Sequence, residues 1–168
     1  MRTRSAAVLL LALVCASAHA DFPFSLGHEL ADSVLVVKSE RKLYLLKAGQ
    51  ILKAITVYLG PMPNGPKRRE GDFRTPEGRY VLEGRKSDSD YFLSIQISYP
   101  NATDRDLARK QRVDPGGQIM IHGTPNEPHY SPAHYKNDWT DGCIAVSNAD
   151  MIEIWLMTRE STPIEIRP

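Results

Sequence analysis

The chain has 168 residues, and its 21 Lys and Arg against 20 Asp and Glu leave a formal net charge of only +1. Neither sign of charge is concentrated in one segment, so nucleic acid is not an expected partner. The length suits a single domain with a sizeable core, and the sequence contains no internal repeat or low-complexity tract.

The first twenty residues have the features of a secretory signal peptide. A basic start at Arg2 and Arg4 is followed by a short apolar stretch and then by Ala18-His19-Ala20, the small-residue pattern that signal peptidase cuts. We therefore expect residues 1–20 to be removed and residues 21–168 to form an exported domain in the periplasm or cell envelope. The apolar stretch is too short to act as a stable membrane anchor.

The exported segment begins with three predicted strands, at residues 34–37, 43–46 and 51–59, which are rich in β-branched and aromatic residues. A loop rich in proline and glycine follows between Gly60 and Gly78. Loops of this kind often shape binding sites.

Alternating apolar and polar residues predict two further strands, at residues 79–83 and 92–99, and one face of the second should be buried. The polar segment 101–112 favours a short helix. A strand at residues 118–121 then ends directly at His122.

The C-terminal part predicts a helix from about residue 149 to residue 159, preceded by a side-chain cap. Ile152, Trp155 and Leu156 recur on one side of this helix and form its predicted apolar face. A last strand is predicted at residues 164–167.

Cys143 is the only cysteine of the exported segment, because Cys15 lies within the signal peptide. An unpaired cysteine in an oxidising compartment is either a buried apolar filler or a reactive thiol. His122 closes one predicted strand and Cys143 opens another, so adjacent strand ends could bring the two together. An imidazole beside a thiol can accept its proton and later return a proton to a leaving amine.

Gly142 precedes this candidate nucleophile and lets the backbone turn sharply, so that a substrate carbonyl can approach. The backbone amides of Cys143, Gly142 and Asp141 are therefore candidates for an oxyanion hole, worth roughly 3 kcal/mol per donor. The ring of His122 also needs a group that holds it. A backbone carbonyl near Gly123 would serve as well as a carboxylate.

Two motifs carry a resemblance to a known family. The chain reads IHGTP at residues 121–125 and TDGCIAV at residues 140–146, which resembles the HG and Ser/Thr-x-Gly-Cys motifs of the L,D-transpeptidase (YkuD-type) family. The similarity extends to LYLLKAGQILKAITVYLG, GDFRTPEGRY and ISYPN, and so spans nearly the whole exported segment. The resemblance implies one mainly β domain of mixed β-sheets with one or two short α-helices, which the number of predicted strands allows.

By this resemblance, Cys143 would be the nucleophile, His122 the proton donor and acceptor, and the Gly123 carbonyl the group that orients the imidazole. The family attacks the diamino acid carbonyl of peptidoglycan stem peptides, expels the terminal D-alanine and passes the acyl group from a thioester to an amine or to water. No cofactor is implied. A His often stands where this chain has Asp141, and an Arg where it has Ala145, so these two positions bear on carboxylate recognition and on the acceptor.

The candidate substrate-binding residues are Thr140, Tyr130, Trp139 and Arg74. The loop 126–139, which also carries His129, His134 and Tyr135, is expected to line or cover the cleft, because Trp139 is too large to be left exposed without a partner. Arg74 and Lys67 are candidate partners for stem carboxylates, although solvation at the surface explains them equally well.

Other interpretations stay open. With water as acceptor, the same thioester chemistry makes a hydrolase, an L,D-carboxypeptidase or an endopeptidase that releases wall-linked protein such as a lipoprotein. An inactive peptidoglycan-binding module would instead keep a buried, slowly reacting thiol. A zinc site built from His122, His129, His134 and Cys143 is disfavoured because their spacing matches no structural zinc pattern, so no metal is expected.

Overall fold

The structure is a computed structural model that describes residues 29–126 and 137–168. The strands are β1 (Ser33–Val37), β2 (Lys42–Lys47), β3 (Gln50–Thr56), β4 (Gly78–Ser89), β5 (Phe92–Ile97), β6 (Met120–His122), β7 (Ile144–Ala145) and β8 (Pro163–Arg167). The helices are α1 (Ala102–Gln111) and α2 (Asn148–Met157). The predicted signal peptide lies outside the described residues.

The eight strands in the described part of the chain join one sheet in the order β3-β2-β1-β8-β4-β5-β6-β7. Two neighbouring pairs, β1 with β8 and β6 with β7, run parallel, and the other pairs are antiparallel. The sheet is therefore mixed, which confirms the predicted fold class.

The core follows from the period of two in the strands, where alternate side chains point to one face. Val34 and Val36 of β1 and Leu43 and Leu45 of β2 are fully buried on that face. Burying an aliphatic side chain of this size contributes roughly 1.5–3 kcal/mol. These strands form the scaffold on which the other half of the sheet is built.

The strand β4 is longer than predicted and pairs with β5 in a hairpin that extends to Ser89. The pairing register shifts between Glu83 and Arg85, at Gly84, whose φ is +52°. A bulge of this kind bends the strand and redirects the residues beyond it. The far half of the hairpin forms one wall of the cleft described below.

Both helices begin at a side-chain cap, Asn101 for α1 and Ser147 for α2, whose side chains accept a backbone N–H from the third helical residue. Among the described residues, no helix has the length and apolar character needed to cross a bilayer.

The predicted apolar face of α2 was wrong for Ile152 and Leu156, whereas Trp155 is partly buried against the core. The buried side chains are Met151, Ile154 and Met157, whereas Ile152 and Leu156 are 43% and 47% exposed. The helix is apolar on more than one side, so its sequence offers two stripes, and packing against β5 selects the one with Met151.

Candidate active site

The turn before β7 and the β4–β5 hairpin enclose a cleft of about 610 Å³. Its described lining residues include His122, Cys143, Asp141, Thr140 and Trp139, all of which the sequence had singled out. Tyr130, together with His129, His134 and Tyr135, falls outside the described residues. The remaining substrate-binding candidate, Arg74, is not among the described residues that line the cleft.

His122 is the last residue of β6 and is buried, with only 4% of its surface exposed. Its Nδ1 lies 2.7 Å from the carbonyl oxygen of Gly123. A carbonyl can only accept, so Nδ1 carries the proton and Nε2 is left as the basic nitrogen. Burial lowers the pKa of His122 below its ordinary value of 6.5, and the bond to Gly123 opposes this shift. The imidazole is therefore neutral near pH 7.

Two neighbouring aromatic rings pack against the imidazole. The ring centroid of Tyr91 lies 4.6 Å from that of His122, and the centroid of Trp139 lies 5.6 Å from it. Trp139 also stacks on Tyr91, at 6.2 Å between centroids. The large side chain of Trp139 thus has the packing partners that its size requires.

The turn after His122 is fastened to two other segments. The N–H of Gly123 donates to the carbonyls of Tyr91 and Leu93, at 3.1 and 3.2 Å. The side-chain oxygen of Asn148 accepts the N–H of Thr124 at 2.8 Å and its hydroxyl at 3.0 Å. A Cβ on Gly123 would lie only 2.4 Å from that oxygen, so a side chain there would displace Asn148 from Thr124.

Cys143 is partly buried just before β7, and its thiol donates to the carbonyl of Gln118 at 3.6 Å rather than to His122. Burial raises the pKa of the Cys143 thiol, the backbone N–H of Met120 lowers it, the charge of Asp141 raises it and the charge of Lys67 lowers it. The net direction is upward. The thiol and the imidazole are therefore both neutral near pH 7.

The turn that carries Cys143 is held by Thr140. The Thr140 hydroxyl donates to the Cys143 carbonyl at 2.8 Å and accepts the N–H of Gly142 at 3.3 Å, while the Thr140 N–H bonds to the Leu59 carbonyl at 2.9 Å. Gly142 has φ +121°, and a Cβ there would lie 2.5 Å from the carbonyl oxygen of Arg74. Both its backbone conformation and the lack of space demand glycine.

The three candidate oxyanion donors are not equivalent. The N–H of Gly142 is already bonded to Thr140, whereas the N–H groups of Asp141 and Cys143 form no hydrogen bond within residues 29–126 and 137–168. Two of the three amides are thus available to a ligand in the cleft.

Lys67 and Arg74 were the predicted partners for stem carboxylates. Neither is among the described residues that line the cleft. The Lys67 ammonium is buried, lies 2.9 Å from the Asp72 carboxylate and donates to the Arg69 carbonyl. The guanidinium of Arg74 lies against Gly65, and the Arg74 backbone packs on Gly142.

Sequence analysis did not identify Lys86, Ser94, Asp88 or Asp90, all of which line the cleft from the β4–β5 hairpin. The sequence also predicted Asn148 only as part of a helix start, and not as the residue that holds Thr124. The alternation of Ser94 with Leu93 and Ile95 was the available signal for a side chain on the opposite face.

The site thus defines a class: a mixed β-sheet domain in which a cysteine just before one strand and a neutral histidine at the end of the neighbouring strand line one cleft. The chain belongs to the YkuD family of L,D-transpeptidase catalytic domains, whose sequence model matches residues 31–166.

Individual relatives match the chain over most of its length. YafK of Escherichia coli (strain K12) is 34% identical over 123 residues, which cover 72% of this chain and 40% of YafK. The crystal structure of the helical cell shape determining protein Pgp2 from Campylobacter jejuni superposes with a TM-score of 0.59 and 27% identity, covering 79% of this chain and 46% of Pgp2. Bd1075 of Bdellovibrio bacteriovorus gives a TM-score of 0.57 and 28% identity, covering 82% and 48%. The chain spans less than half the length of each relative.

Proposed function

We propose that this protein is an L,D-transpeptidase that acts on peptidoglycan tetrapeptide stems by cysteine acyl transfer. The observation that carries the proposal is the 2.7 Å contact from Nδ1 of His122 to the Gly123 carbonyl, because it leaves Nε2 as a base in the cleft shared with Cys143. Membership of the YkuD family supports the same chemistry.

In the first half-reaction, Nε2 of His122 takes the thiol proton as the Cys143 sulfur attacks the stem carbonyl. General-base assistance of this kind contributes typically about 10²- to 10⁴-fold. The N–H groups of Cys143 and Asp141 stabilise the oxyanion, at roughly 3 kcal/mol per donor. The C–N bond then breaks, the leaving D-alanine amine takes the proton from His122, and a thioester remains on Cys143.

In the second half-reaction, an acceptor amine attacks the thioester and gives its proton to His122. The tetrahedral intermediate collapses, the C–S bond breaks, and the returning proton restores the thiol. Water in place of the amine would release the stem as an acid, which is the hydrolase interpretation.

We also propose that residues 1–20 direct export and are removed, so that residues 21–168 act in the periplasm or cell envelope. The expected partners are peptidoglycan stem peptides. A wall-linked lipoprotein would be a partner in the endopeptidase interpretation, in which the protein leaves as the amine and water then takes the acyl group from Cys143.

The test is intact-mass analysis after incubation with a tetrapeptide stem. We expect an acyl adduct on Cys143 with loss of D-alanine, and no adduct in Cys143→Ala. Adding an acceptor amine then separates transfer from hydrolysis by the mass of the product. Full activity of Cys143→Ala would show the mechanism to be wrong, and a wild-type thiol that alkylates slowly at neutral pH and forms no adduct would favour the inactive binding module.

A further inference from the structure

Three residues of the cleft lie in one cross-strand row. The register pairs Lys86 of β4 with Ser94 of β5, and Ser94 with His122 of β6. Directly paired residues share a face of the sheet, with Cβ atoms about 4.5–5.5 Å apart. All three side chains line the cleft. The row therefore leads from the proposed base outward across the hairpin.

Ser94 is the unusual member of this row. It is only 1% exposed, yet its hydroxyl forms no hydrogen bond to any residue within 29–126 and 137–168. The Ser94 hydroxyl oxygen is not fully enclosed, so solvent or a ligand in the cleft can reach it. Because Ser94 lines the cleft, a bound substrate can supply the missing partner.

Lys86 supplies the charge at the outer end of the row. It is exposed, and it is the only Lys or Arg among the described residues that line the cleft. No carboxylate in the described part of the chain lies within ion-pair distance of its ammonium. Asp88, Asp90 and Asp141 also line the cleft and would repel an anion placed beside them. Lys86 thus marks the place where a carboxylate is favoured.

We propose that Ser94 and Lys86 bind the carboxyl-terminal residue of the substrate, the residue that leaves as a free amine. This assignment deepens the proposed function and rests on it. The leaving nitrogen must reach His122 for its proton, and one residue spans at most about 3.6 Å. Neighbouring strands lie about 4.8 Å apart. A leaving residue that extends from His122 along this row places its carboxylate beside Ser94, within reach of the long Lys86 side chain.

The decisive experiment measures binding without chemistry. Calorimetry on Cys143→Ala would compare a synthetic tetrapeptide stem that has a free terminal carboxylate with the same peptide ending in a carboxamide. We expect the carboxylate peptide to bind about tenfold more tightly, as for a charge-assisted hydrogen bond. Adding Lys86→Ala should abolish this preference, and Lys86→Arg should retain it.

The matched control is Lys110→Ala, an exposed lysine on α1 outside the cleft. It should leave the preference unchanged. Equal affinity for both peptides, tighter binding of the carboxamide or no binding of either would overturn the assignment. Tighter binding of the carboxamide is expected if the negative charges of Asp88, Asp90 and Asp141 dominate the electrostatic potential of the cleft.

Ser94 is tested by kinetics together with stability. Ser94→Ala should lower kcat/KM about tenfold and leave Tm unchanged or raised, because no internal hydrogen bond is lost. Ser94→Thr, which keeps the hydroxyl, should recover part of the activity. A fall in Tm for Ser94→Ala would identify a structural role and overturn the assignment for this residue.

Failure of the proposed function has a different signature. If the wild-type protein formed no thioester while Cys143→Ala still preferred the carboxylate peptide through Lys86, the acyl-transfer chemistry would be contradicted and this binding assignment supported.

Discussion

The two halves of the candidate site are held by different parts of the fold. His122 belongs to the sheet, between β5 and β7, and the turn after it is bonded to the neighbouring hairpin through Gly123. Cys143 instead lies on a turn that contacts a loop distant in sequence. The backbone carbonyl of Arg74 in that loop occupies the space beside Gly142.

This loop has its own internal support. Gly60, where it begins, has no room for a side chain, since a Cβ there would lie 2.1 Å from the Phe73 carbonyl oxygen and 2.8 Å from that of Thr140. The buried ion pair of Lys67 with Asp72 ties the loop to itself. The proposed base, His122, is therefore placed by strand pairing, whereas the proposed nucleophile, Cys143, depends on the packing of the loop.

The largest effect should come from breaking the contact between the loop and the cysteine turn. Gly142→Ala places a Cβ 2.5 Å from the Arg74 carbonyl, so the turn has to move. A displacement of about 1 Å at a catalytic group costs on the order of 10²-fold in rate. We expect kcat/KM to fall by at least that factor, with a lower Tm.

The matched control is Gly49→Ala, because Gly49 also has positive φ (+77°), but a Cβ at this position would meet no atom within 4 Å beyond its chain neighbours. Gly49→Ala therefore adds the backbone strain of an alanine at positive φ, roughly 1–3 kcal/mol, without a steric clash. Gly49→Ala should therefore lower Tm without lowering kcat/KM. Wild-type activity in Gly142→Ala would refute the dependence of the nucleophile on the loop.

The second prediction weakens the loop from within. In Asp72→Asn, the buried Lys67 ammonium loses its counter-charge, and the loss of one partner of a buried ion pair costs about 3–5 kcal/mol. We expect a lower Tm and a roughly tenfold lower kcat/KM through displacement of the cysteine turn. The measurements are thermal unfolding and steady-state kinetics.

Asp106→Asn is the control for that substitution, because its ion pair with Arg109 is on the surface, where such pairs contribute about 0–1 kcal/mol. It should change neither quantity. If Asp72→Asn lost stability but kept full activity, the loop would support the fold without positioning the nucleophile.

The difference between the two halves also explains what the sequence could predict. The alternation of apolar and polar residues predicted most strands, and the HG and Gly-Cys motifs identified His122 and Cys143. Both signals are local, because strand pairing and turns constrain residues that are close in sequence. The continuation of β4 to Ser89 was missed, since the segment after the Gly84 bulge is polar and shows no apolar alternation. The contact of Arg74 with Gly142 joins segments far apart in the chain and leaves no periodic signal.

The third prediction concerns the histidine side. Asn148→Ala removes the acceptor for the Thr124 N–H and hydroxyl, which should cost about 1–2 kcal/mol. Because strand pairing still holds His122, we expect kcat/KM to fall only several-fold, less than for Gly142→Ala. Asn148→Asp keeps an acceptor oxygen and should restore both quantities. A loss in Asn148→Ala as large as that of Gly142→Ala would contradict the contrast between the two sides.

The smallest expected effect tests the charge beside the nucleophile. The exposed carboxylate of Asp141 raises the pKa of the Cys143 thiol, an effect added to that of burial. Asp141→Asn keeps the backbone N–H but removes the charge, so the pKa should fall and more thiolate should be present at a fixed pH. We expect alkylation by iodoacetamide at pH 7 to be about two- to threefold faster, with the difference shrinking at high salt.

Asp141→Asn should be assayed for both the alkylation rate and the acyl-transfer rate. Asp106→Asn is the control, because Asp106 is remote from the cleft. If alkylation accelerates while transfer does not, ionisation of the thiol does not limit the reaction, and the proton passes to His122 during attack on the substrate. Such a result agrees with a neutral thiol and a neutral imidazole at rest. If both rates rise together, the reaction starts from a Cys143 thiolate that forms before His122 takes part. Formation of that thiolate then limits the rate.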